Sequence, residues 1–593
     1  MTPATLQEIN QRRAKGADLQ RQDAVDGLKP LKGYVLSSFT THMLPELLTE
    51  NLSQKGFLGK FEMGGFGQIT QEILDPESHL YQASPDVLII LPAAEDWMGQ
   101  AFDRPGSAHA QAIVEGKIEE LQQVVRVVLE RLPKVVCYIA AFGTTSAPST
   151  YLLSPNASER GQVFVDALLN AVRQLETLSA RVVVVDWEWH TRYTGLHSFV
   201  DERLWFLARM RLNPIGIAQL ANLIGDHIGA YSGIVSKVVA VDLDNTMWGG
   251  IIGEVGLQGI TLGEEGIGFA FQAFQKELLK LYDQGVILVV VSKNNHADAW
   301  EAVEHHPGMI LQSPNFAAVR INWQDKATNL QEIAEELNLG LDSFVFLDDN
   351  PVERGWIKSA LPQVRVPELP DDPVERVRFV KELPFFNRIT LTESDKKRAE
   401  SYKTQGLRRE LQEKSDSIES FIMSLNQYIE IEHVTRASLA RVAQMTQRTN
   451  QFNLTTQRYT PADIEAMTSD SQCEVVTLSV RDKFGDNGIT GLAILKFDLL
   501  EAHIDTFLLS CRVLGRKIED VLLAYLVARS QKQGVTTLYG RFIPTSKNQQ
   551  VANFYPRRGF ESQSEGVFRL DLTIHSYPMP EGIQVEIPHE EPN

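Results

Sequence analysis

The chain has 593 residues, enough for roughly three or four domains that each bury a core of their own. Apolar residues make up 43 %, charged residues 22 % and aromatic residues 8 %, which excludes a fibrous or largely disordered chain. Lysine and arginine number 57 against 76 aspartates and glutamates, and the net charge of -19 would repel a nucleic-acid backbone.

In chain order, the first ~230 residues alternate short aliphatic runs with helical patterns. Tyr34–Ser37, Val87–Leu91, Val135–Ala141 and Val182–Asp186 read as buried strands, with helices over Ala108–Leu132 and Glu159–Leu178. That alternation predicts a parallel α/β sheet. A second α/β pattern starts with the strand Val238–Val241. Ile267, Phe271, Phe274, Leu278 and Leu281 then fall on one face of a helix, followed by the strand Val286–Val291, a helix over Asp325–Leu337 and a third strand, Ser343–Leu347. Val364–Pro373, with three prolines, reads as a boundary, and the charged stretch after it as a helical connector. Further on, Tyr428–His433, Glu474–Val480 and Ile489–Phe497 read as strands, the last two joined by a turn at Gly485-Asp-Asn-Gly488. A helix over Gly515–Gln531 and a strand at Thr536–Gly540 complete an α+β unit.

Cys137, Cys473 and Cys511 are far apart and form no Cys-x-x-Cys pair, so neither a disulfide framework nor a structural zinc site is expected, and a reducing cytoplasm fits. The polar stretch Met1–Asp23 has no apolar targeting core, and no apolar run approaches the ~20 residues of a membrane span. No membrane or nucleic-acid partner is expected.

The chemistry concentrates at the strand ends of the second pattern. Asp242 and Asp244 follow Val238–Val241 at the edge where open α/β sheets bind ligands, with Thr246 at the same mouth. Asp348 and Asp349 follow Ser343–Leu347 in the same way. Three or four acids at one site repel one another without a divalent cation, and an oxygen-only donor set suits Mg²⁺. Ser292, Asn294 and Lys326 supply donors for phosphate oxygens, so a carboxylate is placed to act as a nucleophile and form an aspartyl-phosphate.

Asp-x-Asp-x-Thr after one strand, Ser after the next, then Lys, then Asp-Asp resembles the motif order of the haloacid dehalogenase superfamily. More narrowly, Asp242-Leu-Asp-Asn-Thr-Met-Trp-Gly-Gly-Ile-Ile-Gly-Glu254, Val291-Ser-Lys-Asn-Asn295, Asn322-Trp-Gln-Asp-Lys326 and Leu347-Asp-Asp-Asn-Pro-Val-Glu-Arg354 resemble the FkbH-like family, over roughly residues 34–560. The resemblance implies removal of phosphate from 1,3-bisphosphoglycerate and delivery of the glyceryl group as a thioester to an acyl carrier protein, feeding polyketide-type pathways. It makes Asp242 the nucleophile and a Mg²⁺ ligand. Asp244 becomes the acid/base residue and a ligand through its backbone carbonyl. Asp348 completes the metal site with Asp349 beside it, while Thr246, Ser292, Asn294 and Lys326 bind the small phosphorylated substrate. Family members that carry the acyl group on a thiol have Cys where this chain has Val291, and a valine forms no thioester.

Ser510-Cys-Arg-Val-Leu-Gly-Arg-Lys517 before a helix, and Asn548 to Phe560 with Phe554-Tyr555, resemble the two signatures of the GNAT acyltransferase fold. They imply coenzyme A or a phosphopantetheine arm on Arg512, Gly515, Arg516 and Lys517, with Tyr555 and Cys511 as the acyltransfer candidates. The N-terminal pattern resembles an SGNH-hydrolase fold, but Leu36-Ser-Ser-Phe-Thr40 lacks the Gly-Asp-Ser run and Asp186 and His190 have an altered spacing, so a non-catalytic docking domain is expected there. The expected organisation is multidomain α/β: an SGNH-like α/β domain over 1–232, a HAD-like Rossmannoid α/β domain over 233–375, a helical connector over 376–425 and a GNAT-like α+β domain over 426–593. The expected activity is a Mg²⁺-dependent phosphatase and glyceryl transferase. The rivals are a phosphatase for another metabolite with a separate acyltransferase, and a non-catalytic biosynthetic scaffold.

Overall fold

The computed structural model describes residues 5–105, 107, 109–142, 162–233, 235–388, 408, 411, 415, 417–545 and 548–587. The chain divides into two compact units, Met1–Ile234 and Val235–Asn593.

The first unit holds a parallel sheet of β1 (Lys29–Ser37), β2 (Phe57–Met63), β3 (Val87–Leu91), β4 (Val136–Ala140) and β5 (Val182–Val185), in the order β2-β1-β3-β4-β5. All five residues of β3 and of β4 are buried, because each face of the sheet carries an apolar layer of its own. β2 escaped the sequence reading. It is an edge strand with Lys60 and Glu62 interrupting its apolar residues, whereas the continuous runs that mark a strand in sequence belong to strands covered on both faces.

The second unit begins with another parallel sheet, β6 (Val238–Val241), β7 (Ile287–Ser292), β8 (Phe316–Ile321) and β9 (Phe344–Leu347), in the order β8-β7-β6-β9. It has four strands where sequence showed three. β8 lies at the edge, half-buried and rich in alanine, a residue depleted in strands. Along β6 and β7, side chains alternate between two cores: Val239, Val241, Leu288 and Val290 on one, Val238, Ala240, Ile287, Val289 and Val291 on the other. Phe271, Phe274 and Leu278 of helix Gly266–Asp283 are buried as their spacing predicted, but Ile267 in the first turn is exposed. The boundary expected after residue 375 falls inside helix Pro373–Lys381. Val380, Leu383 and Phe386 join the core of β6 and β7, so this packed body continues past the three prolines to at least Phe386.

The last part forms an eight-stranded mixed sheet from β10 (Tyr428–His433), β11 (Cys473–Asp482), β12 (Gly485–Asp498), β13 (Glu501–Leu509), β14 (Thr537–Arg541), β15 (Glu561–Ser564), β16 (Val567–Asp571) and β17 (Gln584–Glu586), with helix Ile518–Lys532 contributing Val521, Leu522 and Leu526 to its core. The hairpin turn is Lys483-Phe484, two residues before the expected one, since Asp482 pairs with Gly485 and Gly485–Gly488 already belong to β12. Phe484 packs on the small cluster of Phe421, Ile422 and Leu425, which seats the turn there.

Candidate active site

Asp242 leaves the end of β6 with its backbone N–H donating to Leu347 O at 3.0 Å, which sets the β6 and β9 ends side by side. The chain then turns back on itself. Asn245 takes a left-handed φ of 53°, a conformation asparagine tolerates better than most residues, and its Oδ1 accepts the Gly250 N–H at 2.9 Å. Thr246 closes the loop against the partner strand end. Its hydroxyl donates to Asp349 Oδ1 at 3.0 Å and accepts the Asp349 N–H at 3.1 Å.

Lys326 enters from the N-terminus of helix Lys326–Glu336, capped by Asp325, whose carboxylate accepts the Ala327 and Thr328 N–H groups at 3.1 and 2.9 Å. Its ammonium is 3 % exposed, 2.6 Å from Asp348 Oδ2 and 3.1 Å from Asp242 Oδ1. Burial alone would lower the lysine pKa, but the two carboxylates raise it above the ordinary value. One ammonium cannot satisfy both acids. Burial, and then the charge of Asp242, push Asp348 up to about 6 against the pull of Lys326. Burial also raises Asp349.

One carboxylate oxygen from each of Asp242, Asp348 and Asp349 lies within 4.8 Å of the other two. Asp242 Oδ1 is buried, and apart from the Lys326 ammonium at 3.1 Å it meets no hydrogen-bond donor among the described residues. Two buried acids that share one ammonium, with the half-buried Asp349 beside them, form a net-negative, oxygen-only set, and these residues fit a hard divalent cation such as Mg²⁺.

The structure brings the sequence-predicted residues together in different ways. Ser292 is buried at the end of β7. Asn294 is turned onto Asp244, its Nδ2 donating to Asp244 Oδ2 at 2.8 Å, and Thr246 is spent on Asp349, so both are loop ties here and not open phosphate donors. Asp244 Oδ1 accepts the Trp248 indole N–H at 2.9 Å and the Ile252 N–H at 3.1 Å, and its carboxylate is not one of the acidic trio; burial raises its pKa. Arg354 was legible only as part of a motif, yet its buried guanidinium donates to the carbonyls of Asp348 and Asp349 at 2.8 and 2.7 Å. Val291 is 0 % exposed, packed in the core layer that contains Ala327 and Leu330.

In the mixed sheet, the side chains expected at a coenzyme A or phosphopantetheine site do not fit that group as placed. Arg516 is buried and paired with the fully buried Asp482 carboxylate at 3.0 Å, which Arg408 also holds at 2.8 Å. Arg512 is 5 % exposed, and Lys517, in a left-handed conformation after Gly515, pairs with Glu419 at 3.2 Å. Tyr555 is a core aromatic rather than a general acid: it is 1 % exposed, wedged beside Phe554, Phe560 and Phe568, with its hydroxyl unpartnered and its pKa driven up by burial. β13 pairs with β14 only over Glu501–Ile504. Beyond that point the chain's own Phe452-Asn453-Leu454 takes the strand edge, through Leu454 N–H to Phe507 O at 3.1 Å, Leu509 N–H to Phe452 O at 3.0 Å and Ile543 N–H to Leu454 O at 2.8 Å. The Cys511 side chain lies outside the described residues.

In the first unit Ser38 Oγ donates to Asp96 Oδ2 at 3.2 Å. Asp186 is occupied by Arg173 at 3.1 Å and by the Trp189 N–H at 3.0 Å, while the His190 ring stacks on Trp187 and Phe199. Burial lowers the His190 pKa. Asp186 and His190 share no side-chain hydrogen bond, and the Ser-His-acid relay of a hydrolase is not assembled among the described residues.

No family model and no curated protein matches the chain. Among solved structures, the N-terminal part of the protein BF1531 from Bacteroides fragilis, which contains a phosphatase domain and is complexed with Mg, is similar at 26 % identity and a TM-score of 0.58, covering 64 % of this chain and 99 % of that one. Two others cover smaller shares: the ribosomal-protein-S18-alanine N-acetyltransferase of Escherichia coli (15 % identity, TM-score 0.21, 26 % of this chain and 99 % of that one) and an acetyl xylan esterase (14 % identity, TM-score 0.26, 33 % of this chain and 100 % of that one). Within the described residues, no helix is long and apolar enough to cross a membrane.

Proposed function

We propose that the Asp242 centre is a Mg²⁺-dependent phosphotransferase site in which Asp242 is the nucleophile. The observation that carries this reading is the placement of Lys326 between Asp242 and Asp348 with Asp349 alongside: a buried cation next to a carboxylate nucleophile, in an acid trio that suits a metal. Likeness to a chain with a phosphatase domain complexed with Mg supports it. Asp242, Asp348 and the backbone carbonyl of Asp244 would hold the cation, with Asp349 beside them; when bound, it neutralises phosphate charge and polarises the phosphorus. The Asp242 carboxylate attacks phosphorus, the bond to the leaving oxygen breaks, and that oxygen takes its proton from Asp244, whose pKa burial raises above the ordinary carboxylate value. Lys326 faces the charge that develops on the phosphoryl oxygens. Water then cleaves the aspartyl-phosphate, returning Asp242.

On the FkbH-like motifs, the substrate is 1,3-bisphosphoglycerate and the acceptor an acyl carrier protein. Two bonds are then cut: the C3 phosphate ester at Asp242, and the C1 acyl phosphate by the carrier thiolate, which attacks the carbonyl carbon and expels phosphate. Val291 puts no thiol in this domain to hold the acyl group, so the group passes directly to the carrier thiol or rests on a cysteine elsewhere in the chain. The same sealed valine favours the second reading, a phosphatase for another phosphorylated metabolite. Incubating the full chain, Mg²⁺ and 1,3-bisphosphoglycerate with candidate carriers and weighing each carrier decides between them. A glyceryl-sized, hydroxylamine-sensitive adduct supports glyceryl transfer; phosphate release with unmodified carriers supports the second reading.

A further inference from the structure

Arg376 stands outside every motif, on helix Pro373–Lys381 beyond the proline-rich loop, and it is 3 % exposed. Its guanidinium has no ion-paired carboxylate among the described residues. It donates instead to three backbone carbonyls: Nε to Pro370 O at 2.8 Å, Nη1 to Asn245 O at 2.5 Å and Nη2 to Asp371 O at 3.2 Å. Asn245 is the residue between Asp244 and Thr246, and it sits in the left-handed conformation on which the loop turns. Its side chain is held by Gly250 and its carbonyl by Arg376, so the strained residue is pinned from both ends. The same helix packs Val380 into the core under β6, which keeps the guanidinium in place.

We propose that Arg376 is a positioning residue for the Asp242–Thr246 loop, fixing the acids for cation binding and phosphate transfer. The inference rests on the phosphotransferase reading above. Two effects of removing the guanidinium oppose each other. Loss of a positive charge near Asp349 would tighten cation binding by simple attraction, whereas release of the Asn245 carbonyl would loosen the loop and weaken it. Groups that orient metal ligands from behind contribute about 10- to 100-fold in metal affinity, so the loss of positioning should dominate. Lysine separates the two: it keeps the charge, but a single ammonium cannot span three carbonyls.

The test is Mn²⁺ titration of the full chain by electron paramagnetic resonance, with Mg²⁺ competition, for wild type, Arg376→Met, Arg376→Lys and Arg378→Ala as a surface control, alongside apo unfolding temperatures. The expected result is at least about tenfold weaker binding for both Arg376 variants at temperatures where the apo proteins remain folded, with the control unchanged. Unchanged affinity with a lowered unfolding temperature, or tighter binding by Arg376→Met with wild-type affinity for Arg376→Lys, overturns the proposal. Should Arg376→Met not fold, Arg376→Lys alone decides: wild-type affinity sinks the inference. Absence of Mn²⁺ binding by wild type sinks the phosphotransferase reading and this inference with it, whereas unaffected variants sink only the inference.

Discussion

Lys326 and Asp348 form an ion pair at 2.6 Å in which the ammonium is 3 % and the carboxylate 0 % exposed, and the pair is unbalanced by Asp242 at 3.1 Å from the same nitrogen. A buried cation shared by two acids leaves the group net negative, a charge that a bound divalent cation would offset.

Removing Lys326 should therefore be felt twice. Lys326→Ala is expected to lower the phosphate-release rate by roughly 10²–10³, since it deletes a cation aimed at developing charge. It should also lower the apo unfolding temperature by several degrees, because Asp348 and Asp242 lose their buried counter-ion, and Mg²⁺ should restore part of that loss. Stopped-flow phosphate detection and calorimetry with and without Mg²⁺ read both effects; a rate within about threefold of wild type means that another group faces the phosphate.

The pH dependence follows from Asp348. Its pKa is raised from 3.8 to about 6, first by burial and then by Asp242, so the folded state favours the protonated acid. The sign is that of a raised group: its contribution to apo stability is fully present below about 4 and is lost as pH rises through about 6. Cation binding needs the ionised form, so apparent Mg²⁺ affinity should fall about tenfold per pH unit below about 6 if one proton is displaced. Calorimetric titrations between pH 5 and about 7.5 check this, and a flat affinity would remove Asp348 from the ligand set.

Val291 gives a test of where an acyl group rests. Because the position is 0 % exposed and packed in the layer with Ala327 and Leu330, Val291→Cys should fold, resist a thiol reagent in the native state and react only after denaturation. Mass after incubation with 1,3-bisphosphoglycerate should show no thioester at 291. Rapid native labelling or a hydroxylamine-sensitive adduct there would show that the strand end opens to substrate.

Tyr555→Phe separates a core aromatic from a general acid. The hydroxyl is sealed without a partner, so its removal should leave the unfolding temperature unchanged or raise it, and leave any acyl transfer untouched. By contrast Gly540→Ala should be strongly destabilising, because a Cβ there would lie 2.3 Å from the Tyr555 ring.

What could be read from sequence was whatever depends on local pattern. β3 and the strand ends that carry Asp242 and Asp348 were visible, since fully buried parallel strands are unbroken aliphatic runs and polar residues just past them have few structural reasons to be there. β2, β8 and β13 were not, because edge or half-exposed strands mix polar residues into the run. Side-chain partners were the least legible. Nothing local distinguishes Arg376 from Arg378, one buried on a loop carbonyl and the other in a surface pair with Glu382, since the difference is made by residues 131 and 4 positions away. The motif residues of the mixed sheet misled for the same reason: Asp482, which occupies Arg516, is 34 positions from it.

Asp242 is proposed as the group that takes the phosphoryl. Rapid acid quench of the full chain turning over 1,3-bisphosphoglycerate or another acyl or sugar phosphate with Mg²⁺, followed by borohydride reduction and peptide mass spectrometry, tests it most directly. Conversion of residue 242 to homoserine is expected in wild type, and none with EDTA or in Asp242→Asn. Phosphate release that continues in Asp242→Asn, or a reduced aspartyl-phosphate at any other residue, would contradict it.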